Sequence, residues 1–86
     1  SDMLDEEVIN MLVKCRIYLN DVKSTELSIC DDVTINNEKF TDSKFNNVYD
    51  FLVSFLNSSL QFIDIHTLGK KYAVNKNMIS RIEQIN

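Results

Sequence analysis

Hydrophobic residues in the first part of the chain recur at alternating spacings of four and three. The stripe comprises Leu4, Val8, Met11, Cys15, Tyr18 and Val22, with Leu12 and Leu19 beside it. This period is typical of an amphipathic helix and predicts one over residues 4–22. The stripe either packs on the protein's own core or forms the seam of a two-helix dimer. The dimer face would comprise Leu4, Val8, Met11, Tyr18 and Val22.

The period changes over residues 24–40, where apolar and polar residues alternate. Leu27 and Ile29 form one alternating pair, Val33 and Ile35 form another, and two aspartates separate the pairs. Alternation with a period of two is typical of strands, so we predict a short β-hairpin or two extended segments. Adjacent aspartates suit a turn. No further oxygen ligands follow at calcium-loop spacing, so we predict no metal site here.

The C-terminal half carries the spacing of three helices. The first is predicted over 43–59, and its apolar residues are Phe45, Val48, Leu52, Phe55, Leu56 and Leu60. Asp64 has the chemistry to cap a second helix over 65–72, and Asn75 to cap a third over 76–85. These helices would form a tri-helical unit over residues 43–85.

The whole pattern predicts one small domain over residues 1–86 with a mainly α fold, a small α+β fold being the alternative. The chain has one glycine and no proline, and helix interiors exclude both residue types. A composition that is 44% hydrophobic supports a real core. The predicted core is Leu12, Cys15, Leu19, Val48, Leu52, Phe55, Leu68, Val74, Ile79 and Ile82.

Cysteine content and hydropathy indicate the cellular compartment in which the protein is expected. Cys15 and Cys30 are the only cysteines, and we expect both to be reduced and buried. The chain has no apolar run of 18 residues and no secretory signal pattern, so we expect no membrane partner. We predict an intracellular protein, nuclear in a eukaryote or cytoplasmic in a bacterium or phage.

Charge is distributed unevenly along the chain. The net charge is −4, which argues against a non-specific nucleic-acid binder. However, residues 1–65 carry a net charge of −7, whereas residues 66–86 carry +3. The acidic total therefore hides a basic C-terminal end.

The basic end resembles the helix-turn-helix superfamily over residues 65–84. Leu68, Val74, Ile79 and Ile82 match the family's buried positions, and Gly69 matches the small residue at the helix crossing. One position departs from the pattern, because Ala73 stands where the family usually has a glycine at the turn. The sequence ends after the predicted recognition helix, so in a winged helix the wing would be missing or replaced by the 24–40 segment.

This resemblance implies double-stranded DNA as the partner of a non-enzymatic regulatory, chromatin-associated or replication-associated protein. The resemblance assigns base readout to one face of the last helix, at Lys76, Asn77, Ser80, Arg81 and Gln84. Lys70 and Lys71 would contact the DNA backbone. Few basic contacts give weak binding alone, so a homodimer or a larger complex is expected.

The second hypothesis is a protein-interaction or homodimerisation module that keeps this shape without reading DNA. The position of the charges decides between the two hypotheses, because carboxylates around the basic residues would repel phosphates. Catalysis has little support: His66 is expected to be a solvated surface residue, and one glycine cannot build a phosphate loop. We predict no enzyme, no cofactor, no metal and no small-molecule substrate.

Overall fold

The computed structural model describes residues 6–85, which form two antiparallel sheets and two helices. The helices are α1 (Glu6–Leu12) and α2 (Val48–Leu56). The strands are β1 (Val13–Leu19), β2 (Glu26–Cys30), β3 (Thr34–Ile35), β4 (Glu38–Lys39), β5 (Phe62–Thr67), β6 (Lys70–Asn75) and β7 (Ile79–Gln84). Two short 3₁₀ helices span Phe40–Asp42 and Lys76–Met78. The protein is therefore an α+β fold built mostly of strands, and the predicted mainly α fold is wrong.

The two sheets have the strand orders β2-β1-β7 and β4-β3-β5-β6. Every pairing is antiparallel. The last strand returns to the first, with Ile17 opposite Ile82 and Tyr18 opposite Arg81. Because the two ends of the described chain pair directly, the first sheet forms only when contacts distant in sequence close.

One core joins the inward side chains of both sheets to the buried face of α2. Its fully buried members include Ile17 and Ile29 from the first sheet, Ile63 from the second and Phe51 from α2. Asn47 caps α2, because its side chain accepts a hydrogen bond of 2.8 Å from the Asp50 backbone N–H. The Phe51 ring lies 5.1–5.9 Å, between centroids, from the rings of Phe40, Phe45 and Phe55.

The predicted helix over 4–22 is wrong beyond Leu12, because residues 13–19 form β1. Val13, Cys15 and Ile17 are buried and alternate with more exposed residues. Cys15 and Tyr18 have helical spacing, but Val13, Cys15 and Ile17 alternate with the period of a strand, and the β-branched Val13 and Ile17 favour the strand. Residues 1–5 lie outside the described residues.

The predicted dimer face therefore does not form one helical stripe. Leu4 lies outside the described residues, while Val8 and Met11 lie on α1. Tyr18 lies on β1, and Val22 is fully exposed in the turn after it. A strand reverses its side-chain direction at every residue, so helical spacing does not bring these side chains together.

The alternating segment over 24–40 is extended, as predicted, and Asp31-Asp32 lies in a turn between β2 and β3. The predicted hairpin between the two halves of this segment is wrong, because β2 and β3 do not pair with each other. β2 pairs with β1, whereas β3 pairs with β4 and β5. The segment therefore crosses from one sheet to the other instead of folding on itself.

The tri-helical unit predicted over 43–85 is also wrong. Only its first helix exists, as α2, which is shorter than the predicted 43–59. Residues 65–72 lie in the β5–β6 hairpin, in which Ile63, Ile65 and Thr67 point inward, so Asp64 is a strand residue and caps nothing. Asn75 does cap, by accepting from the Asn77 backbone N–H, but the capped element is a single 3₁₀ turn before β7.

The predicted core is partly correct. Cys15, Val48, Leu52 and Val74 are buried. Leu19, Phe55, Ile79 and Ile82 are partly buried against the same core. Leu12 is exposed at the end of α1, and Leu68 is half-buried in the β5–β6 turn.

The β5–β6 turn carries backbone strain that a substitution is expected to relieve. Leu68 and Gly69 have φ of 52° and 74°, which defines a two-residue turn with both central residues in the left-handed region. Asparagine tolerates this region better than leucine. Leu68→Asn should raise the free energy of unfolding by about 0.5–1 kcal/mol, measured by urea titration. Leu68→Ala is the control, because it removes the side chain and keeps the strain; equal effects of the two changes would contradict the explanation.

Candidate peptide-binding groove

The structure disperses the residues that were predicted to read DNA. Lys76 and Asn77 lie in the 3₁₀ helix, and Ser80, Arg81 and Gln84 lie on β7. Ser80 donates through its hydroxyl to the backbone oxygen of Tyr18 at 3.1 Å. The predicted recognition helix over 76–85 is therefore wrong, and no helix presents these five side chains to a groove of DNA.

The basic side chains of the C-terminal region do not form one patch. Arg81 stacks on the Tyr18 ring at 3.9 Å and forms an ion pair of 3.7 Å with Glu83. Lys76 donates to the Ser58 backbone oxygen. Lys70 and Lys71 are adjacent on β6, so their side chains point to opposite faces of the strand.

Carboxylates accompany both of these lysines. Lys70 lines a groove together with Glu26 and Asp32. Lys71 lines a different cavity together with Asp64. This mixture of charges is the arrangement expected of a protein-interaction surface, because nearby carboxylates weaken the attraction for phosphates.

Two unpaired strand edges line the groove that contains Lys70. Within residues 6–85, β2 pairs only with β1 and β6 pairs only with β5. A cavity of about 750 Å³ opens between these edges and is lined by Ile9, Glu26, Ser28, Asp32, Thr67, Leu68, Gly69, Lys70 and Tyr72. Edge strands present unpaired backbone donors and acceptors, which a further strand can use.

A second, more apolar cavity of about 370 Å³ continues along the same two strands. It is lined by Leu19, Asp21, Thr25, Leu27, Phe62, Tyr72, Ala73, Val74, Asn75 and Met78. Tyr72 lines both cavities, and Phe62 is 55% exposed. We call the two cavities together the β2–β6 groove, with an apolar end beside Phe62 and a polar end beside Asp32.

The hydrogen bonds of β2 show which of its backbone groups face the groove. The Leu19 N–H donates to the Thr25 oxygen at 2.8 Å, which makes these residues a hydrogen-bonded pair. Alternation then directs the backbone of Leu27 toward β1 and the backbones of Glu26 and Ser28 away from it. The next residue in this series, Cys30, donates its N–H across to Thr67 Oγ1 at 3.3 Å, in agreement with that direction.

The hairpin turn determines which backbone groups of β6 face the groove. The two-residue turn makes Thr67 and Lys70 the closing hydrogen-bonded pair of the hairpin. The backbone groups of Lys71 and Ala73 therefore face away from β5, toward β2. Both walls of the groove thus offer N–H and C=O groups to an extended chain lying between them.

Asp32 holds the polar end of the groove in place. One carboxylate oxygen accepts from the Thr67 hydroxyl at 2.7 Å, and the other accepts from the Leu68 N–H at 3.0 Å. Thr67 is only 2% exposed and also accepts from the Cys30 N–H. These bonds join the turn of the second sheet to the end of β2 in the first sheet.

The groove has an acidic lining. Asp21, Glu26 and Asp32 line it, against the single cation of Lys70. Asp21 accepts hydrogen bonds from the Thr25 hydroxyl at 2.6 Å and the Thr25 N–H at 2.8 Å, and these bonds lower the pKa of its carboxyl. The complementary ligand is a chain that carries basic side chains.

The cysteines and the histidine of the chain lie outside the lining of the groove. Cys15 and Cys30 are buried free thiols, and burial raises the pKa of both. His66 is exposed on β5. Within residues 6–85, no three His, Cys, Asp or Glu side chains are grouped so that they could hold a metal ion. None of the helices in the described part of the chain is long and apolar enough to span a membrane.

The comparisons with known proteins give no relative: no protein-family model, no curated protein and no solved structure matches the chain. The helix-turn-helix resemblance is therefore supported only by the sequence pattern of residues 65–84. Sequence reasoning missed Glu26, Ser28 and Tyr72 as groove residues. The alternation of Leu27 and Ile29 was the signal for β2, but nothing in the sequence marks which strand edges stay unpaired.

Proposed function

We propose that this domain is a non-enzymatic protein-interaction module that binds an extended peptide by strand addition in the β2–β6 groove. The proposal rests on one observation: the free edges of β2 and β6 face the same groove. The edge of β4 is less suitable, because β4 has only two residues. In strand addition, backbone hydrogen bonds provide the affinity, and pockets for alternate side chains of the peptide provide the specificity.

The lining indicates which peptide fits. An apolar side chain of the peptide would enter the apolar end, among Leu27, Phe62 and Val74. A basic side chain nearer the polar end would approach Glu26, which makes no ion pair within residues 6–85. The proposed partner is therefore an extended segment with alternating apolar and basic residues.

DNA binding stays a prediction with weaker support. The dispersal of Lys70, Lys76 and Arg81 removes the single basic surface that double-stranded DNA needs. We expect no binding of mixed duplex DNA even at about 50 mM salt, where phosphate contacts are strongest. A salt-sensitive complex that is lost in the Lys76→Glu/Arg81→Glu double variant would instead support the DNA hypothesis.

The test is a fluorescence-anisotropy titration with labelled heptapeptides of alternating apolar and basic residues. Ser28→Pro should weaken binding at least tenfold, because proline removes an N–H that faces the groove. The fold should survive, since this N–H takes no part in the pairing with β1. Ser28→Ala is the matched control and should bind like the wild type, because it keeps the backbone N–H.

Reversal of the charge of Glu26 gives a second test, which does not depend on whether β2 tolerates a proline. Glu26→Lys should weaken binding of the basic peptides and strengthen binding of matched acidic peptides. Equal affinities of the wild type, Ser28→Pro and Glu26→Lys for the basic peptides would rule out the groove as their site. A protein that is dimeric in solution and releases its partner on Ser28→Pro would show that a second copy of the chain occupies the groove.

A further inference from the structure

The outer face of the four-stranded sheet carries a row of hydrogen-bond donors away from the β2–β6 groove, with the carboxylate of Asp64 on the same face. Thr34 is paired in register with both Lys39 and His66, and His66 is paired with Lys71. Cross-strand partners in register share a face, so the side chains of Lys39, Thr34, His66 and Lys71 lie side by side across all four strands. Neighbouring strands are about 4.8 Å apart, which places Thr34 and Lys71 about 10 Å apart with His66 between them.

A cavity of about 470 Å³ lies over the central part of this row. Thr34, Asn37, Asp64, His66, Lys71 and Ala73 are among its lining residues. Within residues 6–85, the side chains of Thr34, His66 and Lys71 take part in no hydrogen bond or ion pair. The small side chain of Ala73, paired with Asp64, leaves space in the adjacent row. The volume falls within the range of small-molecule sites.

The cavity is built on an anchored hairpin. Asn36 and Asn37 have φ of 51° and 68°, so they form a tight two-residue turn between β3 and β4. The Asn36 side chain accepts from the Asp64 N–H at 2.8 Å, and the Asn36 N–H donates to the Asp64 oxygen at 2.9 Å. These two bonds fix the turn carrying Asn37 against β5, so the cavity wall does not depend on a free loop.

We infer that this cavity binds a small phosphate monoester. The Lys71 ammonium, an imidazole N–H of His66 and the Thr34 hydroxyl supply three different donors to the phosphate oxygens, and such charge-assisted bonds are strong. Asp64 lies on the same face and repels phosphate, so it selects a ligand whose other end carries a hydroxyl or amino group. Lys39 lies at the far end of the row and adds attraction at longer range.

The composition of the site distinguishes it from a nucleic-acid surface. Within residues 6–85, the row holds the two cations Lys39 and Lys71, and the carboxylate of Asp64 lies on the same face. Tyr72 also lines the cavity, but alternation along β6 places its side chain on the groove face with Lys70, so the row itself holds no aromatic ring on which bases could stack. A single phosphate group fits this small number of donors better than a polyanion does.

The experiment is an NMR titration of the ¹⁵N-labelled protein with phosphoethanolamine, with ethanolamine as the control lacking phosphate. We expect saturable shifts centred on Thr34, His66 and Lys71 with phosphoethanolamine only. Lys71→Ala and His66→Gln should each raise Kd at least about fivefold. Lys70→Ala is the matched control: its side chain belongs to the groove face of the same strand, and Kd should not change.

The Asp64→Asn variant distinguishes the proposed site from non-specific charge attraction, because we expect it to change Kd in opposite directions for two probes. With inorganic phosphate as the probe, removal of the carboxylate should lower Kd about twofold. With phosphoethanolamine, the lost contact to the ammonium group should raise Kd instead. The inference is overturned if Lys70→Ala and Lys71→Ala have equal effects, or if Asp64→Asn shifts both affinities in the same direction. It is also overturned if the shifts do not include His66.

Discussion

Replacement of Phe51 by alanine is expected to leave the domain barely folded at 25 °C. Phe51 is fully buried on α2, and the rings of Phe40, Phe45 and Phe55 surround it at centroid distances of 5.1–5.9 Å. Removing a buried phenylalanine costs about 3–5 kcal/mol through lost transfer energy and the cavity left behind. A domain of this size has a total stability of roughly 4–13 kcal/mol, so the loss is a large fraction of it.

Urea titration followed by circular dichroism measures this loss directly. The matched control is Phe45→Ala, because Phe45 contacts the same ring but is 39% exposed. We expect Phe45→Ala to cost less than about 1.5 kcal/mol, since much of its surface already contacts water. If both variants lost the same stability, or if Phe51→Ala lost less than about 1.5 kcal/mol, Phe51 would not be the centre of the core.

The sequence pattern predicted α2 from Val48 and Leu52, but it did not place Phe51 in the predicted core. Val48, Phe51 and Leu52 repeat at helical spacing and meet both sheets, so tertiary contacts reinforce the local pattern. The predicted start at residue 43 was early, because Asn47 caps the helix. Boundaries depend on single hydrogen bonds, which a hydrophobic period does not specify.

The strands β1, β5, β6 and β7 were read as helices for a common physical reason. On β1 and β5 the apolar residues satisfy both a period of two and a spacing of three or four over a short window, whereas on β7 Ile79 and Ile82 have the helical spacing only. Ile79 and Ile82, for example, suit the inner face of a helix, yet on β7 the pairing with β1 determines the structure. The partners in the β1–β7 pairing lie at least 60 residues apart in the sequence, so no local window contains them.

The β2–β6 groove was equally inaccessible to sequence reasoning. Its two walls come from different sheets, and neither wall is defined until the strand order fixes which edges stay unpaired. Asp32 was read as a simple turn residue, which is correct for its backbone. Its hydrogen bonds to Thr67 and Leu68, which join the sheets, connect positions 35 and 36 residues apart.

The basic end of the chain shows how a linear count of charges misleads. Residues 66–86 carry a net positive charge in sequence, but the fold distributes that charge over two sheets and several faces. Lys70 faces the groove and Lys71 faces the phosphate cavity, although the two residues are adjacent. Alternation along a strand thus assigns neighbouring lysines to opposite faces and different sites, whereas on a helix they would point only about 100° apart.

The stability of the protein is expected to fall as the pH rises from about 9 to about 11 because of Cys15. Its thiol lies in the core with no exposed surface, and burial raises its pKa from 9.0 to about 11. Between these values the unfolded chain releases the thiol proton while the folded protein retains it, so unfolding becomes more favourable. The contribution is fully present below pH 9 and decreases by up to about 2–3 kcal/mol by pH 11.

Urea titrations at a series of pH values from about 8 to about 11 test this expectation through the slope of stability against pH. Cys15→Ala should lower stability at every pH, because it leaves a small cavity, but it should flatten the slope above pH 9. Cys30→Ala is the control: burial raises the pKa of Cys30 also, but the carboxylates of Asp31 and Asp32 contribute and the thiol lies nearer the surface. Its removal should therefore flatten the slope less. A slope above pH 9 that is the same in the wild type and in Cys15→Ala would show that the Cys15 thiol ionises as readily in the folded protein as in the unfolded chain.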